Sequence, residues 1–248
     1  MADKISSHKM QTLFRLPQYY KTIINHLVNT ESEVQMLEKI FLHHQIVSVL
    51  DIACGVGRHA ILLAKKRYYI TAVDYSQPQI DQARKDAKKE RAAVKFLKKD
   101  VNNFVSQKKY DAAICMWTTI GEEPLQYRRV IRNVYKSLKR NGIFVIDNRS
   151  WEYIPKKGKE IITNKVTQNQ IQVKSRLHDR YTQNFRVRNA EYTIKGKKYH
   201  DLCITHLLKE QDWLEQLKEA GFTRFTIWHD REKKRLKRPK HVTIVAQK

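Results

Sequence analysis

An acidic residue followed by closely spaced small residues, Asp51-Ile-Ala53-Cys-Gly55-Val-Gly57, is the strongest chemical signal in the chain. Gly55 and Gly57 let the backbone turn sharply and let a ligand come close to it. The helix expected next offers free N–H groups and its positive end, which favour a carboxylate or a phosphate. Gly55-x-Gly57-x-x-Ala60 also satisfies a dinucleotide fingerprint, so the loop alone leaves two cofactor classes open. Asp74, nineteen residues past Gly55, stands where a carboxylate accepts from ribose hydroxyls in either class.

Three features separate the two. Asp51 sits just before the turn, where an anion repels a pyrophosphate but favours the ammonium group of a bound amino acid. Asp100 ends a third strand, placed to reach an adenine amino group. A fourth strand ends in Cys115-Met116-Trp117, followed by Thr118, an apolar and aromatic lip rather than a nicotinamide site.

Positioning these residues takes alternating strands and helices. Ile46 to Ile52 is an apolar run that enters the glycine turn, and Ile61, Leu62 and Leu63 follow it at helical spacing. The pattern repeats with a strand ending at Asp74, a charged helix from Pro78 to Arg91 and a short strand ending near Asp100. A buried strand over YDAAICMW, a helix from Pro124 to Leu138 and, after Asn141-Gly142, a fifth strand over IFVIDN continue it. Two helices precede the first strand between Gln11 and His44, with a break and fresh cap at Asn29, Thr30 and Ser32. Period-two alternation takes over from Lys159 to Leu208, with Lys195-Gly196-Lys197 as a hairpin turn. A helix from Glu210 to Ala220, ended by Gly221, and two last strands, FTRFTIWH and HVTIVAQ, close the chain.

This order predicts an α/β fold: a doubly wound, mostly parallel seven-stranded sheet with helices on both faces. An antiparallel C-terminal hairpin and a small antiparallel β insertion complete it. Residues 1–150 hold the N-terminal helices and the cofactor-binding core, 151–208 the β-rich insertion on the acceptor side, and 209–248 the last helix and closing hairpin.

Together these residues resemble the motif series of class I S-adenosylmethionine (SAM)-dependent methyltransferases over most of the chain. Asp51-x-Ala53-x-Gly55-x-Gly57 corresponds to the family's acidic glycine loop, with Ala53 in place of its first glycine. The Gly-x-Gly-Arg-His-Ala loop and the turn Ala220-Gly221-Phe222 resemble a subgroup with a β insertion before the last helix. The resemblance implies SAM as cofactor, Asp74 on its ribose, Tyr75 beside its adenine, and Asp100 with the Val101 backbone at the ring. It also implies Tyr20, with Tyr19 beside it on the N-terminal helix, as part of a lid. Arg58 either pairs with the SAM carboxylate or caps its helix outwardly. Cys115 and Trp117 complete the expected cofactor-binding set.

Methyl transfer is mostly geometry, so a catalytic dyad is not required, and none is recognisable. Asp147, Asn148 and Arg149 end the fifth strand, at the edge where open α/β sheets bind ligands. His178, His200 and His206 lie in the insertion as candidate bases, and Trp117 and Trp151 are candidate acceptor walls; ordinary surface or packing roles are the alternative for each. Arg176, Arg180, Arg186 and Arg188, mixed with Tyr181 and Phe185, would suit phosphates and stacking, although strand alternation places those arginines on one exposed face. The basic run Arg231 to Lys240 lacks interleaved aromatics.

Lys plus Arg total 49 against 25 acids, a formal net charge of +24 shared equally between residues 1–150 and the remainder. Such a surface attracts anions. It predicts a small-molecule acceptor, anionic if the charge reports on it, with an RNA-modifying methyltransferase as the alternative and an inactive SAM-binding subunit as a third reading. Three scattered cysteines, Cys54, Cys115 and Cys203, predict no metal site and a reducing, cytoplasmic location. Met1 to Met10 has no signal-peptide character and no apolar run is long enough for a bilayer, so no membrane partner is expected. No sequence feature specifies an oligomeric state.

Overall fold

The computed structural model describes residues 12–154, 158–168, 171–182, 184–231 and 239–248. The segment Met1 to Met10 and residues 232–238 of the basic run lie outside the described residues. Two helices, α1 (Thr12–Arg15) and α2 (Pro17–Leu27), precede α3 (Thr30–His43), so the first expected helix is divided at Pro17. Asn29 caps α3 as expected, its side chain accepting from the Ser32 N–H at 2.9 Å. The alternating core follows as β1 (Ser48–Ile52), α4 (Arg58–Lys65), β2 (Tyr69–Asp74), α5 (Gln77–Lys89), β3 (Val94–Lys98), β4 (Tyr110–Cys115), α6 (Tyr127–Ser137) and β5 (Leu138–Arg149). The insertion comprises β6 (Gly158–Gln168), β7 (Ile171–Tyr181), β8 (Phe185–Ile194) and β9 (Lys197–His206). Helix α7 (Glu210–Glu219) and strands β10 (Arg224–His229) and β11 (His241–Gln247) return to the core.

Seven strands form one sheet in the order β10-β11-β5-β4-β1-β2-β3. Pairing is parallel from β5 through β3 and antiparallel at β11 and β10, as expected. Alternate strand residues feed two cores. Val49, Ala112, Ile114 and Val145 pack with Leu37, Phe41 and Leu63 of α3 and α4. Leu50, Ala113, Phe144 and Ile146 face Ile131 and Val134 of α6 and Trp213 and Leu217 of α7. Every residue of β1 is buried, because helices cover both faces of the sheet.

Several boundaries differ from the sequence reading by two or more residues, three of them in ways that bear on the site or its connections. Strand β3 stops at Lys98, and Asp100 lies two residues beyond it, in the following turn. Helix α6 starts at Tyr127 rather than Pro124, the chain first passing a cis Glu123–Pro124 bond. Strand β5 begins at Leu138, with Asn141 (φ +62°) and Gly142 inside it beside a register shift against β4. Lys195 and Gly196 form the expected two-residue hairpin turn, both with positive φ (+49° and +76°).

The insertion is a four-stranded antiparallel meander, and its side-chain phase corrects the expectation. Arg176 and Arg180 are exposed, but Arg186 is buried and Arg188 half-buried, on the face turned to the sheet edge. Phe185 and Leu202 point to solvent instead, 36% and 38% exposed. The inward face is mixed: Val173 and Ile194 pack against Leu13 and Tyr19, while Ser175, Arg186, Arg188 and Asp201 line a cleft.

The first two helices close that cleft from above. Asp201 of β9 accepts from the Thr12 N–H (2.8 and 2.9 Å) and hydroxyl (2.7 Å) at the start of α1. On the core side, Ser76 Oγ donates to the Phe14 carbonyl at 2.9 Å and Gln79 Nε2 to the Leu13 carbonyl at 3.2 Å.

Candidate active site

The cleft lies at the C-terminal edge of the parallel strands, where open α/β sheets bind ligands. Its floor is the loop after β1. Ala53 and Gly55 line it, both in left-handed conformation (φ +53° and +55°). For Ala53 that conformation costs about 1–2 kcal/mol. The turn that a glycine would adopt freely is therefore held under strain at the site, as functional loops often are.

Asp74, at the end of β2, lines the same floor with its carboxyl fixed by backbone donors, Gly55 N–H at 2.9 Å and Ser76 N–H at 2.8 Å. Burial pushes its pKa up, against the lowering by the Ser76, Gly55 and Tyr75 N–H groups. Each oxygen carries two lone pairs, so acceptor capacity remains for a ligand hydroxyl.

Asp51 is 2% exposed, and its Oδ2 has no hydrogen-bond partner. Burial and the neighbouring Asp74 raise its pKa to about 7, with Arg58 and the Ala60 N–H opposing. A buried carboxyl with an unpaired oxygen is costly unless it meets a cation. A ligand ammonium would favour the ionised form, so binding would release a proton below about pH 7 and weaken as pH falls.

Tyr20 of α2 and Tyr75 after β2 line the walls, bridged by Phe14, whose ring meets both edge-on at 5.9 and 6.3 Å. Burial raises the Tyr20 phenol to about 12, so it stays protonated and available as a donor. Trp117 also lines the cleft, with φ +69°, two residues past the end of β4.

Other expected residues are placed elsewhere. Arg58 is bonded to Glu33 of α3 and donates to Thr30 Oγ1 at 3.0 Å, with its guanidinium carbon 5.8 Å from the Trp117 ring centre. Glu33, wholly buried, also accepts from Arg231 at 2.9 Å and meets His59 Nε2 at 2.9 Å. Burial would raise the Glu33 pKa, but the His59 hydrogen bond and the Arg58 charge outweigh it and hold it near 2. Burial and Arg58 lower His59 to about 4. Arg58 thus joins a core network spanning α3, α4 and Arg231.

Gly57 turns away from the cleft, where an added Cβ would meet the Phe96 ring at 2.9 Å and Ala83 at 3.1 Å. Asp100 accepts from Asn102 N–H and Asn103 Nδ2, both at 2.9 Å, and is exposed, while Val101 packs in the α6-side core. Cys115 is fully buried in that same core. None of Asp51, Gly57, Arg58, Asp100, Val101 and Cys115 is in the cleft lining; Asp51 lies buried behind the loop that forms the floor.

Among the acceptor-side candidates, Asp147 accepts from Thr243 Oγ1 at 2.7 Å, and Asn148 is buried with both amide atoms unpaired. Tyr19 is buried, Arg149 and His200 are exposed, and His178 and Trp151 are half-buried. These, too, lie outside the lining. His206 sits 3.4 Å from Glu123, between the Tyr127 and Phe185 rings. Among the described residues, no group of three His, Cys, Asp or Glu is arranged to hold a metal ion, and no helix is long and apolar enough to cross a membrane.

The sequence reading missed Glu122, Glu123, Ser175, Tyr192, Asp201 and Cys203, which complete the wall facing the floor. Glu122 is the most informative. It stands 3.6 Å from Arg186 and its backbone bridges Thr205 of β9, tying the β4–α6 connection to the insertion. Burial raises its pKa, although Arg186 and Arg188 oppose.

Comparison with known proteins agrees with this geometry. Residues 49–142 match the methyltransferase domain family. A ubiquinone biosynthesis O-methyltransferase of Rickettsia canadensis (strain McKiel) is 32% identical over 126 residues, covering 50% of this chain and 52% of that protein. The glycine N-methyltransferase of Rattus norvegicus is 26% identical over 160 residues, covering 54% and 55%. The chain thus spans about half the length of the curated relatives it matches. An S-adenosylmethionine-dependent methyltransferase from Clostridium acetobutylicum ATCC 824 superposes with a TM-score of 0.81 at 17% identity, over 94% of this chain and 97% of that one. A sugar N-methyltransferase from Streptoalloteichus sp ATCC 53650 gives 0.78 at 17% identity, over 100% and 97%. At such identities the likeness is one of fold.

Proposed function

On a chain whose residues 49–142 form a methyltransferase domain and whose sheet has the class I, SAM-dependent topology, we propose that the cleft transfers a methyl group to an amine-bearing small molecule. The observation that carries this is a single cleft joining two walls: the Ala53–Gly55–Asp74 floor and the inward face of the insertion.

The floor fits the cofactor. Asp74 would hold its ribose, Gly55 would let it approach the backbone, and the unpaired Asp51 oxygen, behind the floor rather than in the lining, would draw its ammonium by charge. When bound, SAM supplies an electrophilic methyl group on a sulfonium. The remaining work falls to the chain. The lid tied down by Asp201, Ser76 and Gln79 excludes water, and Tyr20 and Tyr75 narrow the space above the floor. Glu122, in the opposite wall, is the carboxylate placed to take the proton that an ammonium acceptor must lose.

The lining favours an amine. It carries four carboxylates, Asp74, Glu122, Glu123 and Asp201, against two guanidiniums, Arg186 and Arg188. The chain's +24 excess therefore resides outside the cleft and does not specify a purely anionic acceptor. The similar proteins include both a ubiquinone biosynthesis O-methyltransferase and a glycine N-methyltransferase, so the choice of nitrogen rests on the carboxylates of the lining.

RNA is a second reading, favoured by the outer face of α6, where Arg128, Arg129, Arg132 and Lys136 are all exposed. Transfer of labelled methyl from SAM to a panel of primary amines and to RNA, each at low and high salt, separates the two. Methylated amine with little salt dependence is expected. Transfer to RNA alone, collapsing as salt rises, would overturn the small-molecule reading.

A further inference from the structure

Two arginines on the inward face of β8 meet different fates. Arg188 is neutralised, its Nε and Nη2 donating to the two oxygens of buried Asp179, both at 2.7 Å. Arg186, two residues away, donates from Nη2 to the Thr205 hydroxyl at 2.8 Å and forms only a long ion pair with Glu122, at 3.6 Å and beyond hydrogen-bond distance. Its Nε is buried without a hydrogen-bond partner, and the residue is only 9% exposed while lining the cleft. A buried guanidinium has no means of losing its charge, so leaving its Nε–H unpaired is unfavourable. The fork geometry of guanidinium matches an oxyanion, either a carboxylate or a phosphate.

We propose that Arg186 is an acceptor-anchoring residue: it binds an oxyanion carried by the same small molecule whose amine faces Glu122. The acceptor class is then zwitterionic, an amine joined through a short span to a carboxylate or a phosphate ester. This assignment rests on the methyl-transfer reading for the acceptor's amine, but the oxyanion contact stands on Arg186 alone.

The test follows the guanidinium directly. In 15N-labelled wild-type protein, the arginine side-chain N–H resonances are recorded while acetate and, separately, inorganic phosphate replace chloride at constant ionic strength. The Arg186 resonance, identified by its loss in Arg186→Lys, is expected to shift saturably with at least one oxyanion. Response to acetate alone assigns a carboxylate, and to phosphate alone a phosphate ester. In Arg186→Lys, oxyanion affinity read by calorimetry is expected to fall about tenfold or more relative to wild type, as for a lost charge-assisted hydrogen bond. S-adenosylhomocysteine affinity, measured by calorimetry on the same samples, is expected to be unchanged. No shift with either oxyanion would overturn the proposal even if S-adenosylhomocysteine binds. An Arg186 shift without S-adenosylhomocysteine binding would retain the anion contact and defeat the methyl-transfer reading.

Discussion

Replacing Asp74 by alanine is expected to weaken SAM binding by roughly ten- to a hundredfold, the worth of one charge-assisted hydrogen bond to the ligand. Its carboxyl does two things at once. It lines the cleft, and it accepts from the Gly55 and Ser76 N–H groups at 2.9 and 2.8 Å. Alanine removes the charge-assisted bond to the cofactor, about 1.5–3 kcal/mol, while the two backbone donors it leaves unsatisfied lower fold stability by about 1–3 kcal/mol each. Asp74→Asn keeps an acceptor oxygen while losing the charge, so its affinity should lie between wild type and alanine. Calorimetric titration with S-adenosylhomocysteine measures both variants, and unchanged affinity in Asp74→Ala would remove Asp74 from the cofactor site.

The two glycines of the loop are expected to fail in different ways. Gly57→Ala forces a side chain into a left-handed position (φ +73°) and drives its Cβ to 2.9 Å from Phe96 and 3.1 Å from Ala83. Left-handed strain and overpacking together destabilise by about 2–5 kcal/mol. At Gly55 an added Cβ meets nothing nearer than Gln79 Oε1 at 3.6 Å and Tyr20 at 3.8 Å. Gly55→Ala therefore costs only the strain of its backbone, about 1–2 kcal/mol, yet puts a methyl group on the cofactor floor. Denaturant unfolding should show the larger loss at Gly57, and cofactor titration the larger loss, relative to stability, at Gly55. The reverse order would exchange their roles.

Much of the fold was legible because its signals are local. Apolar runs alternating with helical periods specify parallel strands with crossovers, and Gly221 (φ +110°) and the Lys195-Gly196 turn mark stops that few other conformations satisfy. The cleft positions of Gly55 and Asp74 were legible for the same reason, since each belongs to a strand end or the turn after it. Arg58 was not, because its partner Glu33 lies on a different helix, and a guanidinium follows the nearest buried carboxylate. Gly57 was misplaced because a glycine required for helix–strand packing and one required for ligand approach look alike in sequence. The insertion was read with its phase inverted at Arg186 and Arg188. Period-two patterning assumes that the buried face is wholly apolar, and this sheet buries arginines beside Val173 and Ile194 on the face that lines a cleft.

The most direct test of the central claim is calorimetric titration of the protein with S-adenosylhomocysteine and with NAD, at about pH 8 and about pH 6, either side of the raised Asp51 pKa. Saturable binding of S-adenosylhomocysteine is expected at the higher pH, weakening as Asp51 takes up its proton, with no binding of NAD. Binding of NAD without S-adenosylhomocysteine would contradict it and make Gly55-x-Gly57-x-x-Ala60 a dinucleotide loop.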